Sequence, residues 1–153
     1  MIVKERDLPR LRQKHRNKDI ILALGSFDLL HYGHIKYLEW CKHGDILVVA
    51  VNSDKEIRAR KGNSRPIIGE EDRLKLLDAL RPIDYALLAI WDGGTYDEVS
   101  YRIAERLAPD TVVLYNEYAH EVPEWSARVP GARIVIDIQL NNTDHQYHPP
   151  KSE

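Results

Sequence analysis

Two histidines stand three residues apart near the start of the chain. His31 and His34 end the stretch GSFDLLHYGH, residues 25–34, and Asp28 lies three positions before the first of them. Imidazoles at this spacing on a helical turn share one face. There they can donate hydrogen bonds to phosphate oxygens and stabilise the charge that builds up when a phosphorus atom is attacked. The residue types and their spacing therefore indicate phosphate chemistry.

Two other interpretations of this pair stay open. Two histidines can bind zinc, although Asp28 is the only close carboxylate and no third ligand is evident nearby. Each histidine can also be an ordinary polar group with a structural hydrogen bond. The position of the pair favours phosphate, because a helical pattern begins there and the free amides and positive dipole end of a helix attract anions. Gly33 allows a ligand or the backbone to come close.

Apolar runs that alternate with helical patterns must position these side chains. Strands are predicted at residues 19–25, 43–54, 84–90, 111–115 and 132–140, and helices at residues 31–42, 70–80 and 95–110. This alternation predicts an α/β fold, a Rossmann-like, doubly wound sheet of five parallel strands in a single domain. Ligands of such sheets bind at the carboxyl ends of the strands, where the strand order switches. The first predicted strand ends at about Leu24, directly before the histidine stretch.

The two ends of the chain differ in composition from this central part. Residues 1–18 are rich in lysine and arginine, and we expect a short helix that packs on the domain. A basic arm for RNA or an anionic membrane is the open alternative. Residues 19–140 carry the domain itself. Residues 141–153 are polar, include Pro-Pro and show no helical period, so an irregular tail is expected.

Composition excludes several classes of protein. A chain of 153 residues is about one domain. Its formal charge of −2 argues against a nucleic-acid partner. No apolar run approaches the roughly 20 residues of a membrane span, so no membrane partner is expected. The start of the chain is charged and shows no apolar signal core, so secretion is not expected. A single cysteine, Cys41, fits a reducing, cytoplasmic location.

The histidine stretch resembles the signature of the cytidylyltransferase-like nucleotidyltransferases. In that family Gly-x-Phe-Asp precedes His-x-Gly-His, and this chain has Gly25, Phe27, Asp28, His31, Gly33 and His34 at those positions. The segments at residues 44–54, 60–67, 70–80 and 83–88 follow in the family's order. The resemblance is strongest to the adenylyltransferase part of ADP-heptose synthesis enzymes, and it extends more distantly to glycerol-3-phosphate cytidylyltransferase.

This resemblance implies a reaction. A small phosphorylated acceptor, such as a sugar phosphate, attacks the α-phosphate of a nucleoside triphosphate, ATP or CTP, and pyrophosphate leaves. The sequence does not decide between the two nucleotides. Magnesium is expected with the triphosphate, held through phosphate oxygens and water rather than by side chains. A homodimer is also expected, and Trp40, Trp91 and Trp125 are its candidate anchors if they are exposed.

The resemblance also implies roles for individual residues. The catalytic set is His31, His34, Lys61 and Arg73. The nucleotide-binding set is Gly25, Ser26, Phe27, Asp28, His31, Gly33, His34, Tyr115, Asn116 and Thr143. The acceptor-binding set is Asn52, Asp54, Lys61 and Arg65.

Plainer roles for some of these residues stay open. Lys61 can be a solvated loop lysine, and Arg73 can form a surface ion pair with Glu70 or Asp72. Asn52 and Asp54 can be turn and capping residues. Arg65 is expected to reach a phosphate, with a purely structural role as the open alternative. Asp28 is expected to orient its loop rather than to bind metal.

The chain departs from the family in two places. After the fourth strand the family has a loop similar to Lys-Gly-Gly-Asp, but this chain reads LYNEYAHE, so Tyr115, Asn116, Glu117 and Tyr118 stand there. Their rings can stack on a base, narrow the acceptor pocket or simply pack.

The second departure follows the fifth strand. The family has Ser-Thr-Thr or Ser-Ser-Thr there, which grips the triphosphate at the start of a last helix. This chain reads LNNTDHQY, where Thr143 is the only hydroxyl of the match, although Asn141 and Asn142 can donate hydrogen bonds. The sequence therefore leaves a second function open: a non-catalytic nucleotide- or phosphosugar-binding protein on the same fold.

Overall fold

Five parallel strands form one sheet in the computed structural model, which describes residues 1–137. The strands are β1 (Ile20–Gly25), β2 (Ile46–Asn52), β3 (Tyr85–Ala89), β4 (Thr111–Tyr115) and β5 (Arg133–Asp137). The helices are α1 (Leu8–Lys14), α2 (Tyr32–Cys41), α3 (Asp54–Lys61), α4 (Glu70–Asp78), α5 (Tyr96–Leu107) and α6 (Val122–Arg128). Two short 3-10 helices, Glu5–Asp7 and Asn116–Glu121, precede α1 and α6.

The strand order is β3-β2-β1-β4-β5, which places β1 at the centre. The chain runs outward from β1 to β3, then crosses to the other side of β1 and continues through β4 to β5. β1 pairs with β2 over six residues but with β4 over only three, Ile21 to Ala23. The order therefore switches between β1 and β4, and a crevice is expected at their carboxyl ends. The predicted fold class is confirmed.

Helices cover both faces of the sheet, which explains why the strands are almost continuously apolar. Ile20 and Leu22 of β1 point to the face covered by α1, α5 and α6. Ile21 and Ala23 point to the opposite face, covered by α2 and α4. Trp125 of α6 is buried in the first of these cores, whereas Trp40 and Trp91 are half-buried.

Two helices are present that the sequence analysis did not predict, α3 and α6. The predicted strand at residues 43–54 ends at Asn52, and Ser53 caps α3 by accepting the N–H of Glu56 at 3.4 Å. α3 has eight residues, of which Ile57 is the one buried apolar side chain, so its helical period is weak. α6 is shorter still, with seven residues and a proline in its first turn.

The basic segment at the start forms α1, which buries Leu8 and Leu11 against the sheet. The last part of the predicted fifth strand, the predicted tail and Thr143 lie outside the described residues. None of the helices within residues 1–137 has the length and apolar character needed to cross a membrane.

Candidate active site

His31 and His34 cap the start of α2 reciprocally. His31 is the N-cap residue, and its Nδ1 accepts the N–H of Gly33 at 3.1 Å. The Nδ1 of His34 accepts the N–H of His31 at 3.2 Å, and the ring centroids are 3.9 Å apart. Because each Nδ1 is an acceptor, each neutral ring carries its proton on Nε2. In that tautomer each ring is an N–H donor at a helix N-terminus without being charged.

The loop that leads into this cap has a strained backbone. Phe27 and Leu29 both have φ of +50°, a conformation that costs about 1–3 kcal/mol for each such residue. The ring of Phe27 is buried and lies 5.6 Å from the ring of His34, centroid to centroid. A Cβ on Gly25 would lie 2.9 Å from Cε2 of Phe27. Glycine at position 25 therefore allows Phe27 to support His34.

Asp28 joins this loop to the loop between α3 and α4. Its carboxylate is buried and accepts the N–H groups of Ile67 at 2.8 Å and Ile68 at 2.9 Å. Nη1 of Arg65 lies 3.7 Å from the same carboxylate. Both carboxylate oxygens thus position the second loop against the histidine stretch.

Arg73 lies inside the protein, and its side chain is 0% exposed. Its Nη1 donates to the carbonyl oxygens of Ser26 at 2.6 Å and Asn52 at 2.9 Å. Its Nη2 pairs with Asp54 at 2.7 Å, and its Nε donates to the carbonyl of Ile68 at 2.8 Å. The guanidinium thus joins the residues that follow β1 and end β2 to the start of α3.

A pocket opens at the carboxyl ends of β1, β2 and β4, with about 820 Å³ of space that is continuous with solvent. Its place at the carboxyl ends of the strands, beside the switch in strand order, is where ligands of such sheets bind. Among the residues predicted for the site, it brings together Gly25, Ser26, Phe27, His34, Asn52 and Tyr115.

The other predicted site residues do not line this pocket. His31 and Gly33 lie beside it in the cap of α2. Asp28, Asp54 and Arg73 hold the surrounding backbone through the contacts given above. Lys61 and Arg65 are half-exposed at the end of α3 and in the loop that follows, and Asn116 is exposed.

The far side of the pocket consists of residues that the predicted site did not include. They come from α3, α5, α6 and the 3-10 helix after β4: Glu56, Arg60, Tyr96, Asp97, Ser100, Glu117, Tyr118, Glu121 and Trp125. Burial raises the pKa of Glu56, which the nearby Arg60 opposes and Asp97 reinforces. Burial also raises the pKa of Glu121, again reinforced by Asp97. Glu56 and Arg60 are one helical turn apart, so they share one face of α3. This shared face can be predicted only if residues 54–61 are first recognised as a helix.

The two tyrosines of the divergent loop differ in their surroundings. Tyr115 stacks on Tyr37 of α2, with ring centroids 4.7 Å apart and planes 20° apart, and it also borders the pocket. Tyr118 is half-buried, and burial raises the pKa of its hydroxyl while a hydrogen bond with Arg60 opposes that rise. Tyr115 is thus fixed by packing, whereas Tyr118 belongs to the far side of the pocket.

No cluster of three or more His, Cys, Asp or Glu side chains that could hold a metal ion occurs within residues 1–137. Asp28, the carboxylate nearest to the histidine pair in sequence, already accepts two backbone N–H groups.

A family model described as cytidylyltransferase-like matches residues 22–148. Among curated proteins, the chain is similar to the bifunctional protein HldE of Koribacter versatilis, with 39% identity over 132 residues, covering 81% of this chain and 26% of that protein. It is 42% identical over 110 residues to the HldE of Geobacter metallireducens, covering 71% and 21%. The chain therefore spans about a quarter of the length of these relatives.

Solved structures agree with the fold. The lipopolysaccharide core biosynthesis protein of Thermoplasma volcanium is 31% identical, with a TM-score of 0.63, over 78% of this chain and 95% of that one. The pantoate-beta-alanine ligase of Francisella tularensis is 13% identical, with a TM-score of 0.64, over 89% of this chain and 66% of that one. At that identity the ligase shows a common fold only.

Proposed function

The chain belongs to the cytidylyltransferase-like family, and we propose that it transfers a nucleoside monophosphate from ATP or CTP to a small phosphorylated acceptor such as a sugar phosphate. Pyrophosphate is the second product. The observation that carries this proposal is the reciprocal cap, in which Nδ1 of His31 and Nδ1 of His34 each accept a backbone N–H at the start of α2. His34 lines the pocket at the carboxyl ends of β1 and β4.

The chemistry suits these groups. An oxygen of the acceptor phosphate forms a bond to the α-phosphorus while the bond from that phosphorus to the pyrophosphate oxygen breaks. The attacking oxygen is already anionic, so the protein needs no strong base and must instead align two anions. The Nε2–H groups of His31 and His34 and the first amides of α2 donate to the phosphate oxygens on which negative charge grows.

The remaining predicted residues divide into contact and positioning roles. We assign Lys61, half-exposed at the end of α3, and Arg65, half-exposed in the loop that follows, to the phosphates of the two substrates. Asn52 is assigned to the acceptor, and Tyr115 and Asn116 to the nucleoside, because they follow β4 beside the crevice. Arg73 is assigned a positioning role, since its donors are engaged by protein atoms.

Magnesium fits this arrangement as an ion held by the substrate. Asp28 uses both oxygens on backbone N–H groups, so the triphosphate oxygens and water are the ligands that suit Mg²⁺. The ion would supply neutralisation of phosphate charge.

The proposal is tested by calorimetric titration with ATP, CTP, GTP and UTP in the presence of magnesium, followed by pyrophosphate release with a panel of phosphorylated acceptors. We expect one nucleotide to bind and at least one acceptor to be turned over. His34→Ala should lower turnover by about 100-fold or more while the circular dichroism spectrum is unchanged. Turnover that survives this change would contradict the assigned chemistry.

A second candidate is a nucleotide- or phosphosugar-binding protein without turnover. The observation in its favour is the segment LNNTDHQY, which stands where the family has its hydroxyl-rich triphosphate grip. Nucleotide binding without pyrophosphate release from any acceptor in the panel would favour this candidate.

We also propose a homodimer, as the resemblance implies. Trp40 and Trp91 are half-buried and available as anchors, whereas Trp125 is buried in the core. Light scattering coupled to size-exclusion chromatography measures the mass, and a particle of 17.7 kDa would exclude the dimer.

A further inference from the structure

We propose that the outer edge of β5 is an interface for a second copy of this chain, in which the two β5 strands pair antiparallel around Val135. The inference rests on the homodimer proposed above and names the surface through which it forms. The segment that carries it is Arg133–Asp137, with the sequence RIVID. This interface does not use Trp91, which follows β3 at the opposite edge of the sheet.

The two edges of the sheet differ in how they are covered. At the β3 edge, the N–H of Val3 donates to the carbonyl of Ala86 at 2.9 Å, and the N–H of Ala86 donates to the carbonyl of Met1 at 3.0 Å. At the β5 edge, β4 is the one strand that pairs with β5 within residues 1–137. A strand edge whose N–H and carbonyl groups are not used in the sheet is a template for pairing with another chain.

The backbone of β5 turns alternate residues toward this outer edge. Arg133 donates its N–H to the carbonyl of Asp110 at 2.9 Å, so its backbone groups point toward β4. Because these directions alternate along a strand, Val135 also points toward β4, whereas Ile134 and Ile136 point away from it. Ile134 and Ile136 therefore carry the N–H and carbonyl groups that a second strand would use.

One antiparallel register uses all of these outward groups. A two-fold contact joins residue i to residue j and residue j to residue i. With Val135 on the two-fold axis, Ile134 of each copy faces Ile136 of the other. Each of these pairs exchanges two N–H···O bonds, and Val135 falls at a non-hydrogen-bonded position. The outward groups of both strands are then paired.

The side chains of β5 suit the same register. Arg133, Val135 and Asp137 share one side of the sheet, since side chains alternate along a strand. Val135 is half-buried and belongs to neither of the two cores of the described chain, so its counterpart across the axis would cover it. Arg133 is exposed and would stand opposite Asp137 of the other copy, on both sides of the axis. A parallel pairing in register would instead place like charges side by side, which is unfavourable.

Burial of Asp137 gives this charge pair its effect on register. The residue is 2% exposed, so solvent would screen little of the attraction between its carboxylate and an arginine that reaches it. Charge pairs across an interface fix register more than they add affinity. The affinity would come from the backbone hydrogen bonds and from α6, which packs beside β5 and would extend the contact beyond the two strands.

Val135→Cys tests the position of the two-fold axis. Antiparallel residues at a non-hydrogen-bonded position have Cα atoms about 4.5 Å apart, a separation at which a disulfide forms. Oxidation with diamide should therefore give a covalent dimer on a non-reducing gel. Wild type is the blank because Cys41 is fully buried. Ser64→Cys is the matched control, since Ser64 is exposed in the loop before α4, which packs against β2 and β3. Neither should form a covalent dimer.

Arg133→Glu tests the register. It would place two negative charges opposite each other on both sides of the axis, so the dissociation constant of the dimer should rise by about 10-fold or more. Light scattering over a dilution series measures this constant, and the circular dichroism spectrum should be unchanged. Arg81→Glu, at an exposed position before β3, is the control and should dimerise as wild type does. A dissociation constant that Arg133→Glu leaves unchanged would overturn the assigned register.

The mass of the wild-type particle separates this inference from the homodimer. A mass of 17.7 kDa at all concentrations would overturn both. A particle of twice that mass whose Val135→Cys variant forms no disulfide would overturn the β5 interface and leave the homodimer standing. A Val135→Cys thiol that neither forms a disulfide nor reacts with a small maleimide would show that another segment of the same chain covers the edge, which also overturns the inference. Nucleotidyl transfer is decided separately, by the pyrophosphate assay.

Discussion

Arg73 and Asp54 form an ion pair of 2.7 Å in which the arginine side chain is fully buried and the aspartate side chain is 23% exposed. The same guanidinium donates to the carbonyl oxygens of Ser26 and Asn52. Those two residues line the pocket. The geometry of the pocket floor therefore depends on an arginine that need not touch a substrate.

Replacing Arg73 by methionine should destabilise the protein by about 3–5 kcal/mol, because it leaves buried carbonyl oxygens and Asp54 without their donor. Urea denaturation followed by circular dichroism measures the change. Lys75→Met is the control, since Lys75 is exposed on the same helix. A loss below about 1 kcal/mol for Arg73→Met would mean that water replaces the guanidinium at little cost.

His31 combines a capping role with a chemical one, and two substitutions separate them. His31→Ala removes both roles and should lower stability by about 1 kcal/mol through loss of the cap. His31→Asn retains a good capping side chain but has no imidazole, so stability should be close to that of wild type. Turnover should fall by about 100-fold or more in both variants.

Thermal denaturation and pyrophosphate release, measured on the same samples, test the His31 prediction. Turnover restored in His31→Asn would show that the cap, and not the imidazole, is what the reaction needs.

Burial of Glu56 makes stability depend on pH. Its raised pKa means that the folded state binds a proton more tightly than the unfolded chain, whose carboxyl titrates near 4.3. Stability is therefore lost as pH rises through the window above that value and stays lost at neutral pH. Glu56→Gln should raise the melting temperature at pH 7, and the gain should shrink toward pH 4.

Scanning calorimetry between pH 4 and pH 8 measures the Glu56 effect, with Glu71→Gln on the exposed face of α4 as the control. A gain for Glu56→Gln that is independent of pH would show that the ionised carboxylate is not what destabilises the pocket.

Cys41 should be inert in the folded protein. It is the one cysteine of the chain and is 0% exposed, and burial raises the pKa of its thiol well above the usual range. The thiolate is the reactive form, so a disulfide reagent at pH 8 should label no thiol in buffer and one per chain in urea. Ser126→Cys, at an exposed position of α6, should add one thiol that reacts at once.

Rapid labelling of Cys41 in buffer would mean that α2 opens readily from the sheet. Because α2 begins with the histidine cap, such opening would also bear on the proposed site.

The sequence predicted the parts of the fold in which a local pattern and tertiary packing agree. β1 and α2 lie within about one residue of their predicted ranges, because a buried strand of a covered sheet is an uninterrupted apolar run. α3 was missed because its contribution to the core is the single apolar side chain of Ile57. The order of the strands came from the structure, since no local pattern encodes which edge of β1 receives β4.

The site was predicted where its residues are adjacent in sequence, as in residues 25–34. The partners of Arg73 escaped prediction because three of them are backbone carbonyl oxygens, which every residue possesses. Arg60 and Glu56 were missing from the predicted site because their shared face exists only if residues 54–61 form a helix. The roles of the predicted contact residues stay predictions until the kinetics are measured.

The pairing between β1 and β4 is the shortest ladder of the sheet, and we expect it to separate two cooperative units, β1 to β3 and β4 with β5. β1, β2 and β3 are joined by ladders of five or six residues, and β4 is joined to β5 over five, but the two groups meet over three. Partial unfolding of a native protein follows such weak boundaries. Because the pocket lies across this boundary, a bound nucleotide would oppose separation of the two units. Substrate binding would therefore give its largest stabilisation to the boundary between β1 and β4, where the ladder is shortest.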